Sequence, residues 1–151
     1  MSFLAFDNNI SFYTVPAALF LAFIPHAYAV SLGISRYDPG NPRKFEATVS
    51  SDSTLNKVIK NRILRAKAAS TNSFETLGLY AAAVVAGNLV QVDKDTLNYL
   101  TALYIISRAL YVFTYVWLQD NRAFSPLRTV FWGAGIWSIV SLFIKAGNAV
   151  A

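Results

Sequence analysis

The 151 residues fit a single domain, yet 55% are hydrophobic, 15% aromatic and only 14% charged, which excludes the usual balance of a soluble domain and makes a membrane protein the first expectation. The net charge is +5 and there is no cysteine, so disulfides, a cysteine nucleophile and thiolate metal sites are excluded. Any thiol chemistry must use a thiol from outside the chain.

Residues 8–35 carry no charge and predict a first helix over about 11–35, enough to cross a hydrocarbon core of about 30 Å. Ala27, Ala29 and Ser31 resemble a signal-cleavage site. No basic residue precedes the run, however, and it is too long for a signal core, so it reads as a retained helix. Pro16 and Pro25 predict kinks whose freed carbonyls need local repair. His26 is the only histidine and reads first as a hydrogen-bonded structural group, with proton transfer as the lesser alternative.

Tyr37-Asp38-Pro39-Gly40-Asn41-Pro42 then interrupts any continuous helix. Ser50, Ser51, Asp52 and Ser53 offer caps, and Leu55, Val58, Ile59, Ile63 and Leu64 recur at helical spacing. A second helix is therefore expected to start near residue 54, ahead of the membrane, with its span at about 68–91. Lys57, Lys60 and Arg62 in its first turns suit anionic lipid headgroups. Arg65, Asn72 and Glu75 are seven and three positions apart and share one helical face. Glu75 is the only charge between residues 68 and 92. Such a charge costs roughly 2.5–3.5 kcal/mol near mid-membrane and faces a partner or a wet cavity.

Gly87 and Asn88 are expected to end that helix and Asp95 to cap the next, whose span covers about 96–118. Tyr104, Arg108, Tyr111 and Tyr115 lie on one stripe of it. The tyrosines alone read as a packing seam, but a mid-helix guanidinium needs a partner, and Glu75 is the one acid within the spans. Glu75 and Arg108 are therefore expected to face the same polar interior. After the polar turn Gln119–Arg122, Ser125 as cap with Pro126 at the first helical position predicts a fourth span over about 127–148. Arg128 falls in its first turn, where the aligned amides already favour an anion; it can bind a carboxylate or stabilise a thiolate. The alternative is a snorkelling interfacial arginine. Gly133 and Gly135 suit close helix approach.

The basic residues concentrate between the first two helices, the second connection sums to −1 and the third to +1. The positive-inside rule then places the first and third loops in the cytoplasm and both termini on the opposite side. No aromatic-interleaved basic patch points to nucleic acid. There is no phosphate loop, no metal-ligand spacing and no Ser/His/Asp constellation. The expected fold is all-α, an integral membrane four-helix bundle.

These residues resemble the MAPEG family, the membrane-associated proteins in eicosanoid and glutathione metabolism that include microsomal glutathione transferases. The family's motif Arg-x-x-Arg-Ala-x-x-Asn-x-x-Glu is matched by Arg65, Ala69, Asn72 and Glu75, with Ala68 where the family usually has its second arginine. Arg108, Tyr111 and Tyr115 fit the pattern Arg-x-x-Tyr-x-x-x-Tyr, and Pro126-Leu127-Arg128-Thr129 looks like the family's Pro-x-Arg-Ser. The resemblance implies a homotrimer in the endoplasmic reticulum membrane, with glutathione as cosubstrate held between subunits near the cytoplasmic face. It implies that Asn72, Glu75, Arg108 and Tyr111 bind glutathione and that Arg128 and Tyr115 act on its thiolate, which attacks a lipophilic electrophile from the bilayer. With Ala68 in place of arginine, a glutathione carboxylate would fall to Arg65, Arg36 or Lys67. The resemblance leaves three activities open: transferase or peroxidase, glutathione-using isomerase, and a non-catalytic lipid-binding or partner-presenting protein.

Overall fold

The computed structural model describes residues 8–151, which form five α-helices joined by short 3-10 turns, with no strand among them. The helices are α1 (Ser11–Leu32), α2 (Phe45–Ser51), α3 (Lys57–Leu89), α4 (Lys94–Trp117) and α5 (Ser125–Val150). Residues 1–7, and with them the N-terminus whose side of the membrane was expected, lie outside the described residues. Three stretches are long and apolar enough to cross a membrane: Ser11–Leu32, Lys94–Asp120 and Arg122–Val150. The fourth expected span, within α3, is not among them. Its middle turns carry Ser70, Ser73 and Thr76, which are buried inside the protein.

Long α3 is the axis of the molecule and touches the other four helices. Along it the core divides into three layers. One apolar layer joins Tyr80, Ala83 and Val84 to Leu97, Leu100, Tyr104, Ile139 and Leu142. A second joins Ile63, Ala66 and Ala69 to Ala29, Phe45, Val49, Tyr111, Val112 and Val116. Between them lies a buried polar layer of Ser70, Ser73, Thr76, Ser107 and Arg108. Lipid tails are as apolar as leucine, so helix association in a membrane draws on close packing and on interhelical hydrogen bonds of about 0.6 kcal/mol each. The small residues supply the first: a Cβ on Gly87 would meet Leu97 at 2.8 Å, and one on Gly135 would meet Ser107 Oγ at 3.1 Å and Arg108 Cδ at 3.4 Å. The hydroxyls supply the second. Ser70 donates to the Ala22 carbonyl at 2.8 Å, within the stretch of α1 that Pro25 perturbs, and the Thr76 and Tyr104 hydroxyls bond at 3.2 Å.

Several local expectations are corrected. The first helix ends at Leu32, and Ile34–Arg36 is a 3-10 turn. The second begins at Lys57, with Asn56 as its cap accepting from Val58 and Ile59, because Asp52 is engaged with Thr54 and Arg36. α3 runs past Gly87 and Asn88 to Leu89 and closes through a left-handed Gln91, φ 57°; Val92 N–H then reaches the Gly87 carbonyl and Gln91 N–H the Asn88 carbonyl, the bonding pattern of a Schellman stop. Asp93, two residues before Asp95, caps α4 by accepting from Thr96 N–H. Ser125 is already helical: a 3-10 turn, Arg122–Phe124, feeds α5 directly, and the Ser125 hydroxyl accepts instead from the Gln119 amide.

Helix α2, seven residues in the first loop, was not expected. It is anchored by Phe45 and Val49, one turn apart and fully buried. The Phe45 ring lies where only a glycine leaves room, because a Cβ on Gly33 would stand 2.9 Å from it.

Candidate functional site

A cleft of about 560 Å³ opens where α3, α4, α5 and the small helix α2 converge, within the usual size range of small-molecule sites. Asn72, Glu75, Tyr111, Tyr115 and Arg128 all line it, together with Glu46, Ala68, Thr71, Thr129 and Trp132. Helical periodicity explains the first four. Positions 68, 71, 72 and 75 fall on one face of α3, and 111 and 115 stand one turn apart on α4. Arg128 reaches the cleft from the first turn of α5, its guanidinium carbon 4.6 Å from the centre of the Tyr115 ring. The Tyr115 and Tyr111 rings meet edge to face at 5.7 Å. The tyrosines thus form a wall, with the cation on one end of it.

Arg108 lies behind that wall and is 3% exposed. Its Nη2 donates at 3.0 Å both to Asn72 Oδ1 and to Ser73 Oγ, and its guanidinium carbon sits 4.3 Å from the centre of the Tyr111 ring. The Asn72 amide nitrogen in turn approaches Glu75 Oε2 at 3.5 Å. Glu75 and Arg108 therefore do serve one polar interior, with the Asn72 amide between them. Arg108 Nε and Nη1 find no hydrogen-bond partner among the described residues, which is costly for a buried cation and leaves a net positive field beneath the cleft floor.

Three cations expected at the site are engaged elsewhere. Arg65 donates to Asp120 at 2.5 Å and to the Val116 carbonyl at 3.3 Å, and Arg62 joins the same aspartate at 2.8 Å. Arg36 pairs with Asp52 at 2.5 Å. Lys67 Nζ lies 3.0 Å from His26 Nδ1, which gives that histidine the hydrogen-bonded position expected of it. In each case the partner is remote in sequence, and only the folded loops bring it near. Tyr104, on the same stripe as Arg108, faces the core and stacks on Tyr80 with ring centres 3.6 Å apart.

Glu46 is the charged lining residue that sequence reasoning missed, beside the uncharged Thr71 and Trp132. Nothing about one glutamate in a loop marks it. The available signal was the Phe45/Val49 spacing, which makes a one-sided turn with Glu46 beside its anchor.

Comparison with protein families matches the MAPEG family over residues 12–148, nearly the whole chain. The chain belongs to the MAPEG family. A search of curated proteins and one of solved structures returned no match. In this MAPEG chain the family pattern named from sequence and the cleft found in the fold coincide at Asn72, Glu75, Tyr111, Tyr115 and Arg128. Chemically the cleft has two ends. Glu75 can receive an ammonium group, and Arg128, backed by the first-turn amides of α5, can hold an anion.

Proposed function

We propose that this MAPEG protein is a glutathione-dependent membrane transferase or peroxidase acting on a lipophilic electrophile. The observation that carries this reading is the single cleft that gathers an acid, an amide, two tyrosines and a half-buried arginine. Family membership supports chemistry of the glutathione type. The proposed assembly is a homotrimer with four spans in the endoplasmic reticulum membrane, the loops at 33–56 and 118–124 facing the cytoplasm. The length of α3 agrees with this: 33 residues rise about 50 Å, so its charged first turns stand clear of a hydrocarbon core of about 30 Å.

In this scheme Glu75 receives the ammonium of glutathione and Asn72 contacts the peptide through its amide N–H group, which Arg108 orients by holding the Asn72 oxygen. Arg128 faces the sulfur. A free thiol has a pKa near ~8.5, and adjacent positive charge lowers it toward neutrality. Ionisation releases the proton to water, the sulfur lone pair forms a bond to the electrophilic carbon, and the leaving group departs with its electron pair. Tyr115, under the Arg128 guanidinium, keeps that charge aimed into the cleft. Glutathione added to the purified protein is expected to give thiolate absorbance that Arg128→Ala loses, and failure of the unaltered protein to bind glutathione rules the reading out. Stabilisation grows as RT ln(1 + [L]/Kd), so a competent site also raises the unfolding temperature in millimolar glutathione.

One feature favours a second reading. Ala68 lines the cleft and brings no charge there, as a non-catalytic lipid-binding member of the fold would allow. Its signature is retained lipid binding with no turnover of any thiol.

A further inference from the structure

The turn that carries the chain from the tyrosine wall to Arg128 has no apolar anchor. Its two consecutive 3-10 segments, Leu118–Asp120 and Arg122–Phe124, contain no buried residue, and residues 120–124 are all exposed. A segment that buries so little depends on its polar contacts for its position. Those that tie it to α3 converge on Asp120. Arg62 and Arg65, three positions apart and neighbours on the helix surface, clasp its two carboxylate oxygens at 2.8 Å and 2.5 Å. The Arg65 Nη2 that reaches Asp120 also donates to the Val116 carbonyl at 3.3 Å, in the last turn of α4, where carbonyls lack partners within the helix. One guanidinium thus pins both the end of α4 and the turn beyond it to α3. From there the turn is tied to α5, because the Gln119 amide donates to Ser125 Oγ and the Asn121 side chain accepts from Ala123 N–H. All of these contacts lie within one chain and do not depend on its assembly.

Arg128 stands within one helical turn of Ser125, so it goes where that helix start goes. In the cleft its contact is the Tyr115 ring, 4.6 Å from the guanidinium carbon, which alone does not fix a long, flexible side chain. We propose that Arg65 and Asp120 are positioning residues: their ion pair, shared with Arg62, sets where the first turn of α5 sits and so how near the Arg128 charge comes to the bound sulfur. This rests on the reading of Arg128 as the partner of the thiolate. Stabilisation of an anion by a charge falls with distance. Without the Asp120 carboxylate, two like charges remain three positions apart on α3 and repel, and the exposed turn is released. Glu75, which receives the ammonium, stands on α3 itself and is not attached to this turn. Loosening the turn is therefore expected to raise the pH at which the bound thiol ionises, with binding of the protonated thiol unaltered. A purely structural pair would lower the unfolding temperature and leave that pH where it was.

The test is a pH titration of the thiolate difference absorbance of bound glutathione, on the full chain in detergent micelles. It compares the unaltered protein with Asp120→Asn, Arg65→Gln, Arg65→Lys, Arg128→Ala and the double variant Asp120→Asn with Arg128→Ala. Asp120→Asn and Arg65→Gln are expected to raise the midpoint by about one pH unit, a loss of up to about tenfold in thiolate at neutral pH. Arg65→Lys, which keeps a cation against Asp120, should recover part of it. In the double variant Asp120→Asn should add nothing to the shift caused by Arg128→Ala, because both act through one charge. Should Asp120→Asn fail to fold, Arg65→Gln, which leaves Arg62 on the aspartate, carries the same comparison. An unchanged midpoint in these variants, or shifts that add in the double variant, overturns the inference while leaving the glutathione reading standing. Absence of thiolate in the unaltered protein overturns both.

Discussion

The two ends of the bundle treat polar groups in opposite ways. At the end where α1 starts and α3 stops, the polar side chains that join the helices are neutral and satisfy one another. Asn98, fully buried, accepts from Ile10 N–H at 2.9 Å and donates to the Asn8 carbonyl at 3.0 Å. Asn88 donates to Ser11 Oγ and to the Val84 carbonyl, and Asn9 donates to Asn88. At the cleft end the groups are charged, and those lining the cleft are left wanting: Arg128 has only an aromatic face and Glu46 has no partner among the described residues. A completed amide network ties helix ends together and contributes stability. Charges left unpaired by the chain's own groups contribute little to stability and await something from outside. The difference separates what holds this fold from what it is proposed to do.

The sharpest way to break that contrast is Arg128→Ala. It is expected to lower thiol-dependent turnover by about 10²–10³-fold, the cost of removing a charge that stabilises a developing anion, with the unfolding temperature in detergent unchanged. A parallel fall in unfolding temperature would place Arg128 with the structural groups. At the other end, Asn98→Leu keeps the branched heavy-atom skeleton but strands the Ile10 N–H and the Asn8 carbonyl. It should cost about 1–3 kcal/mol of stability and leave glutathione affinity untouched. Gln91→Gly, at the left-handed stop of α3, is expected to raise stability by about 1 kcal/mol, since glycine removes the Cβ clash of that conformation; a neutral or lower unfolding temperature counts against strain there. The smallest effect is a pH dependence in the first loop. The Thr54 hydroxyl, then the Arg36 guanidinium, hold the Asp52 carboxyl well below its ordinary value of 3.8. Its contribution is therefore fully present above that value and is lost only as pH falls through the lower folded one. Protection factors against hydrogen exchange at residues 45–51, taken relative to the intrinsic rate at each pH, should be flat from pH 5 to 8 and lower in Asp52→Asn across that range.

The long helices were legible in sequence because uncharged runs of membrane length admit few alternatives, and so was the α3 and α4 lining of the cleft, because helical periodicity is local. Arg65 and Arg36 pair outside the cleft lining, with Asp120 and Asp52, and sequence could not show it for the complementary reason. A basic residue on the correct helical face says nothing about an acid 55 or 16 positions away that reaches it first. Helix α2 is short, and two large apolar side chains in seven residues are too few to announce an amphipathic face; its position depends on the room that Gly33 leaves for Phe45. The capping errors have a different origin: Asp93–Asp95 offers two competent acids and the earlier one caps α4, while Asn56, outside the run Ser50–Ser53, caps α3.

The amide between Arg108 and Glu75 has one more consequence. Had acid and base met directly, each would have cancelled the other and the pair would have become an inert rivet in the bundle. Asn72 works as an insulator with a sense of direction. Its oxygen faces the cation and its nitrogen the anion, so the two charges stay separate and oriented, and the acid keeps its charge for whatever enters the cleft.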